Sequence, residues 1–260
     1  MQLHLSTWTD VESYLARCRG IVIPIGSTEQ HGPNGLLGTD ALCPEIIAKE
    51  AGDRSGLLIG PTFNIGIAQH HMGFPGTITL RPSTMIAAMN DWIESLTRHG
   101  FNRLFFLNGH GGNVATIEAA FGEAYANCSL KGAPAEFACR LRNWWELKGV
   151  MKLATSLYPK GHGSHATPSE VAVTQYAYPE TIRDVEMTPK IAPTGPIRDA
   201  DDYRARFPDG RIGSDPSLAT PEDGKTLVEA SVAALITEAQ AFFDEGRPDA
   251  GKDSAQAAAE

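Results

Sequence analysis

Apolar residues in this chain fall into short unbroken runs separated by longer stretches with helical spacing. Gly20-Ile21-Val22-Ile23-Pro24-Ile25-Gly26 is a β-branched run of strand length, the pattern of a strand buried on both faces. Leu57-Leu58-Ile59-Gly60-Pro61 is a second apolar run, Leu104-Phe105-Phe106-Leu107 reads as another buried strand, and Phe137 to Leu141 is a further candidate. Asp40 or a neighbour is expected to cap a helix over Ala41 to Ala51 that stops at Gly52. Met85, Ile86, Met89, Trp92, Ile93 and Leu96 form the clearest helical stripe, opened by Pro82 and Ser83 and closed by Arg98-His99-Gly100. Val114 to Tyr125 and Ser169 to Tyr178 also read as helices. An amphipathic closing helix is expected from Lys225 to Phe243.

Buried strands alternating with helices predict an α/β fold, a mostly parallel sheet with helices on both faces, in a single domain over residues 1–245. The ligand crevice of such a sheet lies at the carboxyl ends of its strands. Pro189 to Pro221, dense in Pro, Gly and Asp, is expected to be irregular and wrapped on the surface or against a partner subunit. Gly246 to Glu260, polar and Ala-rich, is expected to be a disordered tail.

Charge and cysteine usage narrow the function. The 260 residues carry a formal net charge of −9, and the 22 Lys and Arg are scattered. That composition argues against a nucleic-acid or anionic-membrane surface. Cys18, Cys43, Cys128 and Cys139 form no C-x-x-C pair and read as core residues in a reducing cytoplasm. The N-terminus lacks a signal-peptide pattern and no 18-residue apolar run occurs, so a cytoplasmic location without a membrane partner is expected.

Three segments predicted to follow strands hold most of the unusual polar residues: Ser27 to His31 with Asp40, then His110, then His162 to His165 with Glu170. Glu29 and His31 are two apart, so an extended backbone projects them to one side. Gly32, Gly35 and Gly38 leave the loop free to fold Asp40 back beside them. Imidazoles with carboxylates and no thiolates suit Zn²⁺, Mn²⁺ or Fe²⁺. Glu29, His31, Asp40, His110 and Glu170 supply enough donors for two open-sided cations, a pair of which activates hydroxide for attack on a carbonyl or phosphoryl group.

Each residue alone has a plainer role. A single Asp or Glu here is most often a solvated carboxylate or a helix cap, and Asp40 before Ala41 is a natural cap. His31, His110 and His165 singly read as hydrogen-bonded loop histidines, and His70, His71 and His162 are left on that reading. Asn108-Gly109-His110-Gly111-Gly112-Asn113 also fits an anion nest, which would suit a phosphate- or nucleotide-binding regulatory module. No Lys or Arg stands in that loop to support it.

Pro24-Ile25-Gly26-Ser27-Thr28-Glu29-Gln30-His31-Gly32-Pro33 followed by Gly38-Thr39-Asp40 resembles the hallmark motif of the creatininase family, and Phe74-Pro75-Gly76-Thr77 and Asn108 to Asn113 resemble two further family motifs in the same order. The resemblance implies an α/β sheet, a centre of two divalent ions per chain (Zn²⁺ and/or Mn²⁺), hydrolysis of non-peptide amide bonds and often a homohexamer. It also implies that Glu29 and His110 ligate one metal, His31 the other, and Asp40 both. His165 corresponds to a histidine that contacts substrate and takes part in proton transfer. Glu170 matches a shared acidic position and stands as the fifth ligand and a second catalytic group, because Gly112 occupies the place of a glutamate in the creatinine-hydrolysing member. Trp145 resembles an aromatic that lines the substrate pocket. Gly111 and Gly161 replace a pocket tyrosine and tryptophan, so the expected substrate is a small cyclic or linear amide and not creatinine. Hydrolysis of a cyclic ketone or a short peptide is the alternative within this chemistry.

Overall fold

The computed structural model describes residues 1–245, and the tail expected over residues 246–260 lies outside the described residues. Three parallel strands, β1 (Gly20–Ile25), β2 (Arg103–Asn108) and β3 (Ala138–Asn143), lie in the order β1-β2-β3. Their registers run from Gly20 opposite Arg103 to Ile25 opposite Asn108, and from Arg103 opposite Ala138 to Asn108 opposite Asn143. All three strands therefore end level, and the loops that follow β1 and β2 start side by side.

The apolar run at Leu57 lies along the free edge of β1 without becoming a continuous strand. Isolated parallel bridges join Val22 to Ile59 and Ile25 to Phe63. Pro24 lacks the N–H that an uninterrupted ladder would use between those of Val22 and Gly26, which donate to the Leu58 and Phe63 carbonyls.

Alternation along the strands explains why helices cover both faces. Ile21, Ile23 and Ile25 of β1, with Leu104 and Phe106 of β2, pack against Tyr14, Met85, Met89, Ile93, Ile117 and Ala120. Those partners come from α1 (Trp8–Leu15), α3 (Pro82–Arg98) and α4 (Val114–Leu130). Val22, Phe105 and Leu107 point the other way, into α2 (Thr39–Ser55), α5 (Val150–Leu157), α6 (Pro168–Ala177) and α8 (Pro221–Phe243). Each fully buried Ile, Leu or Phe contributes about 1.5–3 kcal/mol on transfer from water. The result is a single α/β domain.

Helix α8 is long and apolar enough to cross a membrane by composition. Its Leu227, Val228, Val232, Leu235, Ala239 and Phe242 are nevertheless buried in the core, which accounts for that composition.

Four expectations are corrected. Asp40 does not cap α2: the cap position is Gly38, and Asp40 is the second helical residue. The helix also runs through Gly52 to Ser55, because Gly52 is the site of close approach to Ile59, whose Cγ1 would lie 2.7 Å from an added Cβ. His162 to His165 follow α5 and not a strand. The Pro189 to Pro221 segment is neither structureless nor merely superficial. It contains α7 (Ala200–Arg206), buries Tyr203 and Phe207, and is pinned by the fully buried Arg211, which donates to Asp209 and to the carbonyls of Pro189, Lys190 and Ser214. It packs back over the crevice of its own chain, through a bridge between His165 and Ile212.

Candidate metal centre

The centre is built where the loops after β1 and β2 meet the first turn of α2. Two glycines allow that approach: a Cβ on Gly26 would lie 2.2 Å from the Asp40 carbonyl oxygen, and one on Gly109 only 1.9 Å from it. With both absent, Asp40 is driven between two imidazoles. Its Oδ1 lies 3.0 Å from His31 Nε2 and its Oδ2 2.8 Å from His110 Nδ1. Glu29 follows β1 on the same side, with Oε2 3.4 Å from His110 Nε2 and accepting from Ser27 Oγ at 2.8 Å.

Glu170 arrives from α6. Thr167 and Glu170 form a capping box in which Glu170 Oε1 accepts from the Thr167 N–H at 2.5 Å while facing His31 Nε2 at 3.9 Å. His165 lies just before that cap, its ring 4.6 Å from the His31 ring centre. The next residue, Ala166, is held at φ 52°, a left-handed conformation that costs an Ala about 1–2 kcal/mol.

Donor atoms therefore converge as two sets that share a residue. Glu29, Asp40 and His110 form one, and His31, Asp40 and Glu170 the other, each with its ligand atoms within 4.8 Å of one another. Glu29, His31 and His165 form a third, overlapping group. The sequence-derived candidates Glu29, His31, Asp40, His110 and Glu170 are thus all brought together, with His165 beside them.

Electrostatics show what this cluster does without a cation. Burial acts to lower the His31 and His110 pKa values. The carboxylates outweigh it, Asp40 foremost for His31 and Glu29 foremost for His110, raising them to about 10 and about 9. Burial raises Glu170 to about 7 against the pull of His31. It likewise raises Glu29, whereas Asp40 is held well below the usual carboxylate range because His31 and His110 together overcome its burial.

The donor set fits divalent ions. His31 Nδ1 lies 3.1 Å from the Glu29 carbonyl and His110 Nε2 lies 2.9 Å from the Ile67 carbonyl. An N–H at each of those atoms leaves His31 Nε2 and His110 Nδ1 bare, aimed at the oxygens of Asp40. Lone pair facing lone pair at about 3 Å is unfavourable unless a proton or a cation lies between. Glu29 Oε1 and Asp40 Oδ2 are moreover buried without a hydrogen-bond partner.

Beside the cluster lies a cavity of about 350 Å³, with Trp145, Met151, Ile197, His70, His162 and Gly111 in its wall. Trp145 and Gly111 are where the sequence reading expects them. A Cβ at Gly111 would meet nothing within 4 Å, so this glycine does leave the cavity open. Gly161 does not: its φ is +74° and an added Cβ would lie 3.1 Å from Asp215, away from the cavity wall.

A family profile described as creatininase (creatinine amidohydrolase) matches residues 4–238. The chain belongs to the creatininase family. Creatinine amidohydrolase of Pseudomonas putida is 27% identical over 242 residues, covering 88% of this chain and 92% of that protein. A mycofactocin precursor peptide peptidase of Mycobacterium ulcerans is 26% identical over 230 residues, 84% of this chain and 83% of its own length. A solved manganese creatininase superposes with a TM-score of 0.81 at 25% identity, over 94% of this chain and 99% of that one. At this level the chain is a creatininase-family amidohydrolase with metal-binding residues in place.

Three residues that touch the cluster are not singled out by the sequence. His71, left as a loop histidine, is buried with Nε2 3.0 Å from Glu29 Oε1. Gln30 and Tyr203 meet it there. The adjacent pair His70-His71 in a Gly- and Pro-rich loop was the available signal. Tyr203 had none, since it lies in the segment read as irregular.

Proposed function

We propose that this chain is a dinuclear-metal amidohydrolase acting on a small linear or cyclic amide other than creatinine. The observation that carries the reading is Asp40, whose carboxylate belongs to two donor sets at once. Glu29, Asp40 and His110 would hold one ion, and His31, Asp40 and Glu170 the other. Two divalent ions, Zn²⁺ or Mn²⁺ with Fe²⁺ also compatible with the donors, would polarise an amide carbonyl and lower the pKa of water there.

The chain's own residues supply the rest. His165, whose ring lies 4.6 Å from that of His31, is placed to relay a proton to a leaving nitrogen, although burial and the neighbouring His31 and His71 hold its pKa well below the usual value. Glu170, fixed by its capping box, is the second group within reach for that transfer. Trp145 offers a flat wall for the substrate. The open space at Gly111 leaves a small ring such as creatinine unclamped on one side, and a misplacement of about 1 Å can cost 10²-fold in rate. The four free cysteines suit a reducing cytoplasm, and a homohexamer completes the reading.

Elemental analysis of purified protein supplied with Zn²⁺ or Mn²⁺ is expected to give close to two ions per chain. Metal-replete protein is then assayed on creatinine, lactams, formamides and short peptides. Turnover of an amide with release of an amine is the expected result, with creatinine poor. A protein that binds no transition metal and hydrolyses none of these would instead fit the anion-binding module. Creatinine kcat/KM at or above about 10⁴ M⁻¹s⁻¹, an ordinary enzyme value, would overturn the specificity.

A further inference from the structure

The cavity beside the cluster has a polar floor and an apolar mouth. Asp40, His110 and Glu170 in its wall are buried, whereas Met151 and Ile197 in the same wall are 40% and 37% exposed. Trp145, half-buried, lines it with them. Three separate parts of the chain supply these side chains. Trp145 comes from the short turn Trp144–Glu146 that follows β3. Met151 is in the first turn of α5, whose Val150, Leu153, Ala154 and Leu157 form the face packed on the core, so core packing does not require residue 151 to be apolar. Ile197 sits in the exposed run 193–199, which is fastened at both ends: the Ala192 N–H donates to the Ser214 carbonyl at 3.1 Å, and Asp199 caps α7. Large apolar side chains left open to water around a cavity mark a place that a ligand covers.

Charge and hydrogen bonding limit what that mouth can hold. Among the described residues, no Lys or Arg lines the cavity. Arg198, next to Ile197, is turned to Asp202, with Nη2 3.8 Å from Oδ1. His162 Nε2 and Thr167 Oγ1 lie 2.9 and 3.0 Å from Ser169 Oγ, so these polar groups of the wall are already paired with one another. A carboxylate carried to the mouth would lose water without gaining a counter-ion, and a strongly polar group would lose hydrogen bonds. An apolar group there gains from burial instead. The cavity of about 350 Å³ falls within the roughly 300–1,000 Å³ of sites that enclose ligands much larger than a bare amide.

We propose that Met151 and Ile197, with Trp145, form a specificity wall that selects an uncharged amide carrying a bulky apolar group, aromatic or branched aliphatic, beside the bond that is cut. The amide lies at the cluster on the floor and the apolar group covers the exposed side chains at the mouth. Ile197 gives the 193–199 run a direct part in substrate choice, since it is the side chain by which that run lines the cavity. The nature of the bond cut rests on the amidohydrolase reading, and the group held at the mouth rests on the wall alone.

The test uses full-length protein supplied with Zn²⁺ and four amides that differ only in the group beside the amide: acetamide, malonamide, malonamate and phenylacetamide. Phenylacetamide is expected to exceed acetamide and malonamide in kcat/KM by at least about tenfold, the usual gain from taking an apolar group out of water, with malonamate the poorest. In Ile197→Lys and Met151→Lys, both at exposed positions, the preference for phenylacetamide over malonamate should fall at least about tenfold. Binding is read separately on protein with ¹³C-labelled Met and Ile methyl groups: phenylacetamide should shift the Met151 and Ile197 signals through its ring current, and acetamide should not. Phenylacetamide no better than acetamide, unmoved methyl signals, or an unchanged preference in the folded variants overturns the proposal. So does a change in assembly mass by light scattering in Ile197→Lys with the preference intact, which would assign the residue to contact with a second copy of the chain. If neither variant folds, the wild-type methyl titration decides. Should no amide be turned over, the hydrolase reading fails while the methyl shifts still judge the wall.

Discussion

Asp40 shows how far a residue's context decides its role. As a sequence element, an Asp at a helix start is a cap, yet its oxygens are drawn to His31 and His110 because Gly26 and Gly109 let the helix come down between two strand-end loops. Glu29, His31, Asp40, His110 and Glu170 were legible because motif and order announced them. His71 was not, since what makes it part of the site is contact with Glu29 and Gln30 across the fold. The shared position of Asp40 carries a prediction: Asp40→Ala should lose both metal ions, while Glu29→Ala and His31→Ala each retain about one, by elemental analysis after dialysis. Retention of both by Asp40→Ala would assign the bridging role elsewhere.

At the scale of elements, the strands and the long helices were readable from periodicity, whereas α1 and α5, of eight residues each, are too short to show a stripe. Their boundaries are set locally, as by the Thr7–Asp10 capping box of α1. The seat of α2 on the strand ends is testable. Gly109→Ala places a Cβ against the Asp40 carbonyl, and overpacking of that kind costs about 3 kcal/mol at the upper end of its range. For a chain of this length that is a Tm lower by about 6–12 °C. Gly122→Ala in α4, where an added Cβ meets nothing within 4 Å, should instead raise Tm slightly. Equal losses would remove the packing account.

Helix α2 also has a pH signature. Burial raises the Glu45 pKa, but hydrogen bonds from Lys49 and Thr62 outweigh it and hold the carboxylate below its ordinary value. A lowered folded-state pKa gives stability that is complete above the unfolded value of about 4.3 and lost as pH falls through the folded value. Glu45→Gln should therefore cost about 0.5–1 kcal/mol at pH 7, discounted for partial exposure. The gap from wild type should close below about pH 4 when metal-free proteins are unfolded in urea. A gap that widens in acid would contradict the sign.

For the molecule as a whole, the two-faced sheet was legible because Ile21, Ile23 and Ile25 alternate with Val22 toward opposite cores. The course of Pro189 to Pro221 was not, since a segment held by the buried Arg211 and by backbone bridges has no apolar period to display. That segment finds its packing partner within its own chain, so a homohexamer must rest on other surfaces. Exposed Trp8, Met72 and Ile78 are available for that. Light scattering at micromolar concentration is expected to give six times the 27.9 kDa chain mass, and a monodisperse monomer would remove the expectation.

The level strand ends have a further consequence, for the order in which the protein comes into being. The two donor sets draw on positions from 29 to 170, and no stretch of chain shorter than that contains both. A nascent polypeptide that has just completed β3 already exposes Glu29, His31, Asp40 and His110, but it lacks His165, Glu170 and the helix that brings them in. Such a half-made centre has one full set of three donors and one partial set. On the two-ion reading, only the Glu29, Asp40 and His110 set is complete in sequence before α6 has been made.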